Sequence, residues 1–130
     1  MQFLVIARDG TDAAALDRRL AARALHFERL PAMLAAGEML MGGAMLDDDG
    51  RMIGSTVLVD FPDRAALDRW LAEEPYVTGD VWRDLEILPF RLAVTGAIEH
   101  LVVPPKRLSA EERCRVCHCV RAQRRRRSSV

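Results

Sequence analysis

LDRRLAARALHFERLPAMLAA, residues Leu16 to Ala36, is the longest run of helical period in the chain, and it carries a single histidine. Leu16, Leu20, Phe27, Leu30 and Leu34 fall within a narrow arc when successive residues are turned by ~100°, so this arc is the expected core face. Arg23 projects almost inside the arc and His26 at its edge, which places a cation and an imidazole three residues apart on one helix face. A histidine in that position is commonly a partly buried group with one hydrogen-bond partner. Its chemistry therefore depends on what the rest of the chain brings to it.

Outward from this helix, Gln2 to Ala7 (QFLVIA) is a short continuous apolar run of the kind found in strands buried on both faces. Asp9-Gly10-Thr11-Asp12 supplies a turn and an N-cap. Pro31 removes a backbone donor and is expected to kink or restart the helix, which Gly37 ends. Met39 to Met45 reads as a second strand, Asp47-Asp48-Asp49-Gly50 as a hairpin connection, and Ile53 to Phe61 as the returning strand. Pro62-Asp63 caps a second helix with Leu67, Trp70 and Leu71 on its apolar face. Pro75 stops that helix through its effect on Glu74. Tyr76 to Arg83 reads as a connection and Leu85 to Leu92 as a fourth strand, with Pro89 marking an edge, a bulge or the strand's end.

The resulting order, β-α-β-β-α-β, is the ferredoxin-like arrangement: an α+β domain with a four-stranded antiparallel sheet. Two helices cover one face of such a sheet, yet FLVIA and TVLV are apolar on both alternating sets of side chains. A second copy packed face to face, a homodimer of the dimeric α/β-barrel kind, is the economical cover. Phe3 or Val57, whichever points away from the helices, would then lie in the interface.

Composition sets the remaining bounds. The 130 residues are 50% hydrophobic and 29% charged, enough for one domain with a core. No apolar run approaches the ~20 residues of a membrane span, and MQFLVIARDG lacks the apolar region and cleavage site of a signal peptide, so a cytoplasmic location is expected. The formal net charge of zero conceals an asymmetry: residues 1 to 103 carry ten Arg against seventeen acidic groups, and residues 104 to 130 carry nine Lys plus Arg against two Glu. An acidic body argues against a nucleic-acid face on the domain.

Residues 1–96 are accordingly read as the domain and 97–130 as a basic, disordered tail. Cys114, Cys117, His118 and Cys119 carry zinc-type ligands, but crowded into six residues they lack the two separated pairs of a closed site, so no metal is expected. The run Arg124 to Arg127 is read as a solvated tail, with binding to nucleic acid or an acidic surface as the alternative. With eighteen Arg and one Lys, Lys106, the chain implies GC-rich codons, whose out-of-frame translation is a third reading of the tail.

Several short segments carry a family resemblance in order and spacing. These are Arg23-Ala24-Leu25-His26 with Arg29-Leu30, Gly42-Gly43-Ala44-Met45 after Gly37, Gly54-Ser55-Thr56-Val57, Glu74-Pro75-Tyr76-Val77 and Leu88-Pro89-Phe90. Together, over residues 1 to about 93, they resemble the YciI-like (YCII-related) domain family. The resemblance implies a ferredoxin-like domain that forms dimers of the dimeric α/β-barrel kind, in agreement with the fold read from the residues. It also implies a catalytic pair, a first-helix histidine and the aspartate of an Asp-Pro-Tyr motif, which match His26 and Glu74. Glu74 departs from that pattern by one methylene, a displacement of up to ~1.5 Å, and Ala44 stands where a proline is frequent.

A carboxylate beside an imidazole orients the ring and selects its tautomer, making a general base. His26 would be the base, Glu74 its partner, Arg23 the holder of an anionic oxygen, and Ser55 and Tyr76 neutral hydrogen-bonding groups for the substrate. The more ordinary readings are that Arg23 pairs with Glu28 or another acid, Ser55 bonds backbone and Tyr76 packs. The pocket suits proton abstraction from a small organic acid or ring compound without a cofactor. The resemblance to dehydrochlorinase and muconolactone-isomerase-like proteins implies lyase or isomerase chemistry in a dimer cleft. A non-catalytic module that binds or senses a small ligand is the alternative.

Overall fold

Seven elements follow one another in the computed structural model, which describes residues 1–96; the zinc, basic-run and coding readings of the tail lie outside the described residues. Strand β1 (Gln2–Asp9), helix α1 (Ala15–Ala35), strands β2 (Met39–Leu46) and β3 (Met52–Asp60), helix α2 (Arg64–Glu73), a single helical turn α3 (Pro75–Thr78) and strand β4 (Trp82–Phe90) give a sheet of order β2-β3-β1-β4. Every neighbouring pair is antiparallel, so the fold is the ferredoxin-like α+β arrangement. β4 is an edge strand, which tolerates the missing donor of Pro89. None of the described helices is long and apolar enough to cross a membrane.

The local signals that end α1 and begin α2 are realised as backbone chemistry. At the C-terminus of α1, Gly37 takes φ +72°, its N–H donates to the Leu34 carbonyl at 3.2 Å and the Glu38 N–H donates to the Met33 carbonyl at 2.9 Å. That is a Schellman closure, which needs a residue free to adopt positive φ. At α2 the Asp63 carboxylate accepts from the Ala66 N–H at 2.8 Å, satisfying one of the orphan donors of the first turn.

Other local expectations are corrected. Pro31 does not restart the helix, which runs on through it as one α1. Residue Ala14, with no side-chain cap, precedes that helix, because Asp9 ends β1 and Asp12 is engaged by Arg18 instead. The stretch Tyr76 to Arg83, expected as a connection, contains most of α3 and the start of β4.

The larger correction concerns the rotation of α1. Its buried residues are Arg19, Ala22, His26 and Met33, whereas Leu16 and Leu20 are 40% and 48% exposed. At ~100° per residue the buried face lies roughly a quarter turn from the leucine arc. Polar groups can take core positions when each has a buried partner, and Arg19 and His26 both do.

Phe3, Val5 and Ala7 of β1 and Val57 and Val59 of β3 pack with Ala22, Met33, Leu67, Trp70 and Leu71 in one core, so the helices cover this face of the sheet. Phe3 and Val57 thus both face inward. The alternate set, Leu4 and Ile6, points to the other face, where Leu4 lies opposite Leu58 on one side and Leu88 on the other. Leu58 in turn pairs with Met41. Leu58 is buried, Leu88 and Met41 are partly exposed, and no described helix covers this apolar face.

Candidate active site

Pro75 determines how Glu74 reaches the interior. The residue before a proline is driven out of helical geometry, and Glu74 adopts φ −68°, ψ 124° between α2 and α3. Its carboxylate is 1% exposed and has three partners. Oε1 accepts a hydrogen bond from Nδ1 of His26 and another from the Tyr76 N–H at 3.3 Å, and Oε2 accepts from Arg29 Nη1 at 3.0 Å. A carboxylate buried without partners would cost several kcal/mol, and Arg29, its side chain 26% exposed, supplies the compensating charge.

The same contact assigns the imidazole. A carboxylate accepts, so Nδ1 of His26 donates and Nε2 of the neutral ring holds the lone pair. The ring cannot easily turn, because it stacks on Tyr76 with centroids 4.1 Å apart and meets Trp82 edge-to-face at 6.0 Å. The ring is thus held with Nε2 directed away from Glu74.

A second buried polar cluster lies beyond Tyr76. Arg19 Nη1 donates to both oxygens of Asp9 at 3.0 Å, Arg19 Nη2 donates to Ser55 Oγ at 2.7 Å, and Trp82 Nε1 donates to the same Oγ at 3.3 Å. The Arg19 guanidinium also sits over the Tyr76 ring, 4.9 Å from its centroid. Burial pushes the Asp9 carboxyl above its ordinary pKa, opposed by the charge and hydrogen bonds of Arg19. Burial likewise raises the Tyr76 phenol, opposed by Arg19 and Arg23. A shift in register between Arg8 and Asp9 sets Trp82, rather than Arg83, opposite Asp9, which turns the indole inward.

The structure therefore brings together His26, Glu74, Ser55 and Tyr76. Arg23 stands apart: it is exposed, lies over the Phe27 ring at 5.3 Å, and forms no ion pair among the described residues. Ser55 bonds Arg19 and Trp82 rather than backbone. Asp9, Arg19, Arg29 and Trp82 also join the site and are not among the residues expected from the sequence. Two signals were present. Arg19 precedes His26 by seven residues, two helical turns, and Asp9 continues the inward alternation Phe3-Val5-Ala7. No group of three or more metal-ligating side chains occurs among the described residues.

The model of the YCII-related domain matches residues 1–91. This chain belongs to the YCII-related domain family. Among curated proteins, Protein YciI of Escherichia coli O6:H1 is 31% identical over 97 residues, covering 70% of this chain and 97% of the relative. An uncharacterised Haemophilus influenzae protein is 32% identical with the same coverage, 70% and 97%. Among solved structures, the 5-chloro-2-hydroxyhydroquinone dehydrochlorinase TftG of Burkholderia phenoliruptrix AC1100, in complex with 2,5-dihydroxybenzoquinone, aligns with TM-score 0.62 at 19% identity, over 72% of this chain and 96% of that one. At that identity the likeness establishes a shared fold. The YCII domain here thus joins a ferredoxin-like scaffold to a buried histidine–glutamate pair.

Proposed function

We propose that this YCII domain is a small-molecule lyase or isomerase in which His26 is the general base and Glu74 its orienting partner. The observation that carries the reading is the Nδ1 contact of His26 with a buried carboxylate, which leaves Nε2 as the basic atom. Nε2 takes a proton from a carbon or hydroxyl of the substrate, and the electron pair released forms a new double bond. In elimination a leaving group such as chloride departs with its bonding pair; in isomerisation the imidazolium returns the proton to a different carbon. Neither route needs a metal or cofactor. The dehydrochlorinase activity of the structurally similar TftG supports chemistry of this class, and chlorinated hydroxyhydroquinones and ring lactones are the substrates to try first.

The reading includes a homodimer. The sheet face carrying Leu4, Ile6 and Leu88, which no described helix covers, packs on its equivalent in a second copy, and a site at the edge of that assembly gains walls that a single chain lacks. A cytoplasmic location goes with it, since the domain is acidic and has no cysteine between residues 1 and 96. The test is a screen of the intact protein against chlorinated hydroquinones and ring lactones, repeated with His26→Ala. Turnover abolished in the variant supports the base; binding without turnover in the unmodified protein identifies a ligand-binding module instead.

A further inference from the structure

The proton inventory of Ser55 leads beyond the base. A serine hydroxyl has two acceptor lone pairs and one proton to donate. Guanidinium and indole N–H groups donate and never accept, so Arg19 Nη2 at 2.7 Å and Trp82 Nε1 at 3.3 Å use both acceptor positions of Oγ. The direction of both bonds is thereby forced. What remains is the hydroxyl proton, on a residue that is buried, with no acceptor among the described residues. A hydroxyl whose oxygen is already hydrogen-bonded to a cation is polarised into a stronger donor.

A second unspent donor belongs to the same cluster. Arg19 is buried to 3% exposure, both of its terminal nitrogens are engaged, and its Nε–H has no partner among the described residues. Asp9 holds Nη1 through two equal bonds, which fixes the plane of the guanidinium and delivers Nη2 to Ser55. Trp82 links the cluster to the base, since its N–H lies on Ser55 while its ring lies against His26. The two halves of the site are therefore one side chain apart.

We propose that Ser55 is the oxyanion donor of this site, with Arg19, held by Asp9, as the positioning residue that obliges its hydroxyl to donate. This rests on the functional reading above and narrows its substrate class to compounds whose reacting carbon adjoins a carbonyl, enol or phenol oxygen. When Nε2 of His26 removes the proton, the electron pair moves onto that oxygen. The Ser55 O–H meets the developing negative charge without reorganising. Serine is the contact residue; arginine and aspartate act through it.

The experiment measures binding of para-nitrophenolate against para-nitroanisole, which has the same ring but no anionic oxygen, to the full-length protein at a pH where the phenol is ionised. The unmodified protein should prefer the phenolate, and Ser55→Ala should reduce that preference by roughly tenfold or more, as for loss of one hydrogen bond to a charged group. Trp82→Phe, which keeps a ring against His26 and deletes the N–H, should reduce it by a smaller factor. Arg19→Met should match Ser55→Ala, with Arg19→Lys restoring part of the preference; a purely structural role would give no such rescue. If Arg19 variants do not fold, Ser55→Ala and Trp82→Phe decide the matter alone. No phenolate preference in the unmodified protein, or an unchanged preference in Ser55→Ala, overturns the proposal, the hydroxyl then holding only a water. The base reading fails separately: an unmodified protein that prefers the phenolate yet turns over no substrate in the screen removes the base and keeps the oxyanion site.

Discussion

Nδ1 of His26 is hydrogen-bonded to Oε1 of Glu74, a carboxylate that is also held by Arg29 and by the Tyr76 amide, so the imidazole has its orientation set from the protein side. Removing His26 leaves Glu74 still paired with Arg29, which separates catalysis from folding. His26→Ala is therefore expected to fold and to lose about 10²- to 10⁴-fold in kcat on whichever substrate the screen identifies. Glu74→Gln keeps the shape but removes the charge and permits the opposite tautomer, with an expected loss of about 10²-fold or more. Single-turnover rates of the two variants, measured beside near-ultraviolet circular dichroism, check the prediction; full activity in either removes that residue from the mechanism.

The proposed dimer makes a directional prediction about neighbouring residues of one strand. Leu4 and Ile6 face the side of the sheet that no described helix covers, Phe3 and Val5 the helical core. Leu4→Glu or Ile6→Glu should yield a folded monomer, because a carboxylate in a sheet-to-sheet interface is left without a partner at a cost of several kcal/mol. Phe3→Glu should instead unfold the chain. Light scattering at micromolar concentration and circular dichroism distinguish the two, and a monomeric unmodified protein would end the idea.

Why some of this was legible beforehand and some was not follows from where each partner lies. The order of elements, the Asp63 cap and the Leu67-Trp70-Leu71 face depend on neighbours a few residues away, and all were readable. Glu74 was found through its motif, and its extra methylene still lets it reach His26 while Arg29 takes the second oxygen. The rotation of α1 was not readable. Periodicity weights apolar residues, and so it selected Leu16 and Leu20 over Arg19. Arg19 is interior only because Asp9 and Ser55, on two different strands, meet it there. A helical arginine with such distant partners looks the same in sequence as one facing water.

Two glycines should behave oppositely. A Cβ at Gly54 would collide with the Ala7 carbonyl and with Cε of Met45, whereas one at Gly43 would meet nothing within 4 Å. Gly54 precedes Ser55 on β3, so relief of the clash moves the strand that presents the hydroxyl. Gly54→Ala is expected to destabilise by about 1 to 3 kcal/mol, and Gly43→Ala by no more than about 0.5 kcal/mol. Urea denaturation of both decides it; equal midpoints would show that β3 shifts freely at Gly54.

The acid limb of stability should be set by a surface network joining the start of α1 to the loop after α3. Arg18 donates to both oxygens of Asp12 at 2.7 Å and through Nε to the Asp80 carbonyl at 3.1 Å, and Arg83 donates to Asp80 Oδ2 at 2.7 Å. The hydrogen bond from Arg18 holds the Asp12 carboxyl well below the ordinary aspartate value of 3.8, and that from Arg83 lowers Asp80. A carboxyl whose pKa is depressed by folding binds its proton more readily when unfolded. Its contribution is therefore complete above the ordinary aspartate value and is lost as pH falls below it toward the folded value. Asp9 works in the opposite direction, because burial raises its pKa and protonation relieves the cost of its buried charge. Thermal unfolding should accordingly show Tm declining from about pH 5 to about pH 2, and the double variant Asp12→Asn, Asp80→Asn should flatten that decline while starting from a lower Tm at neutral pH. A decline of the same steepness in the double variant would show that the network does not set the acid limb.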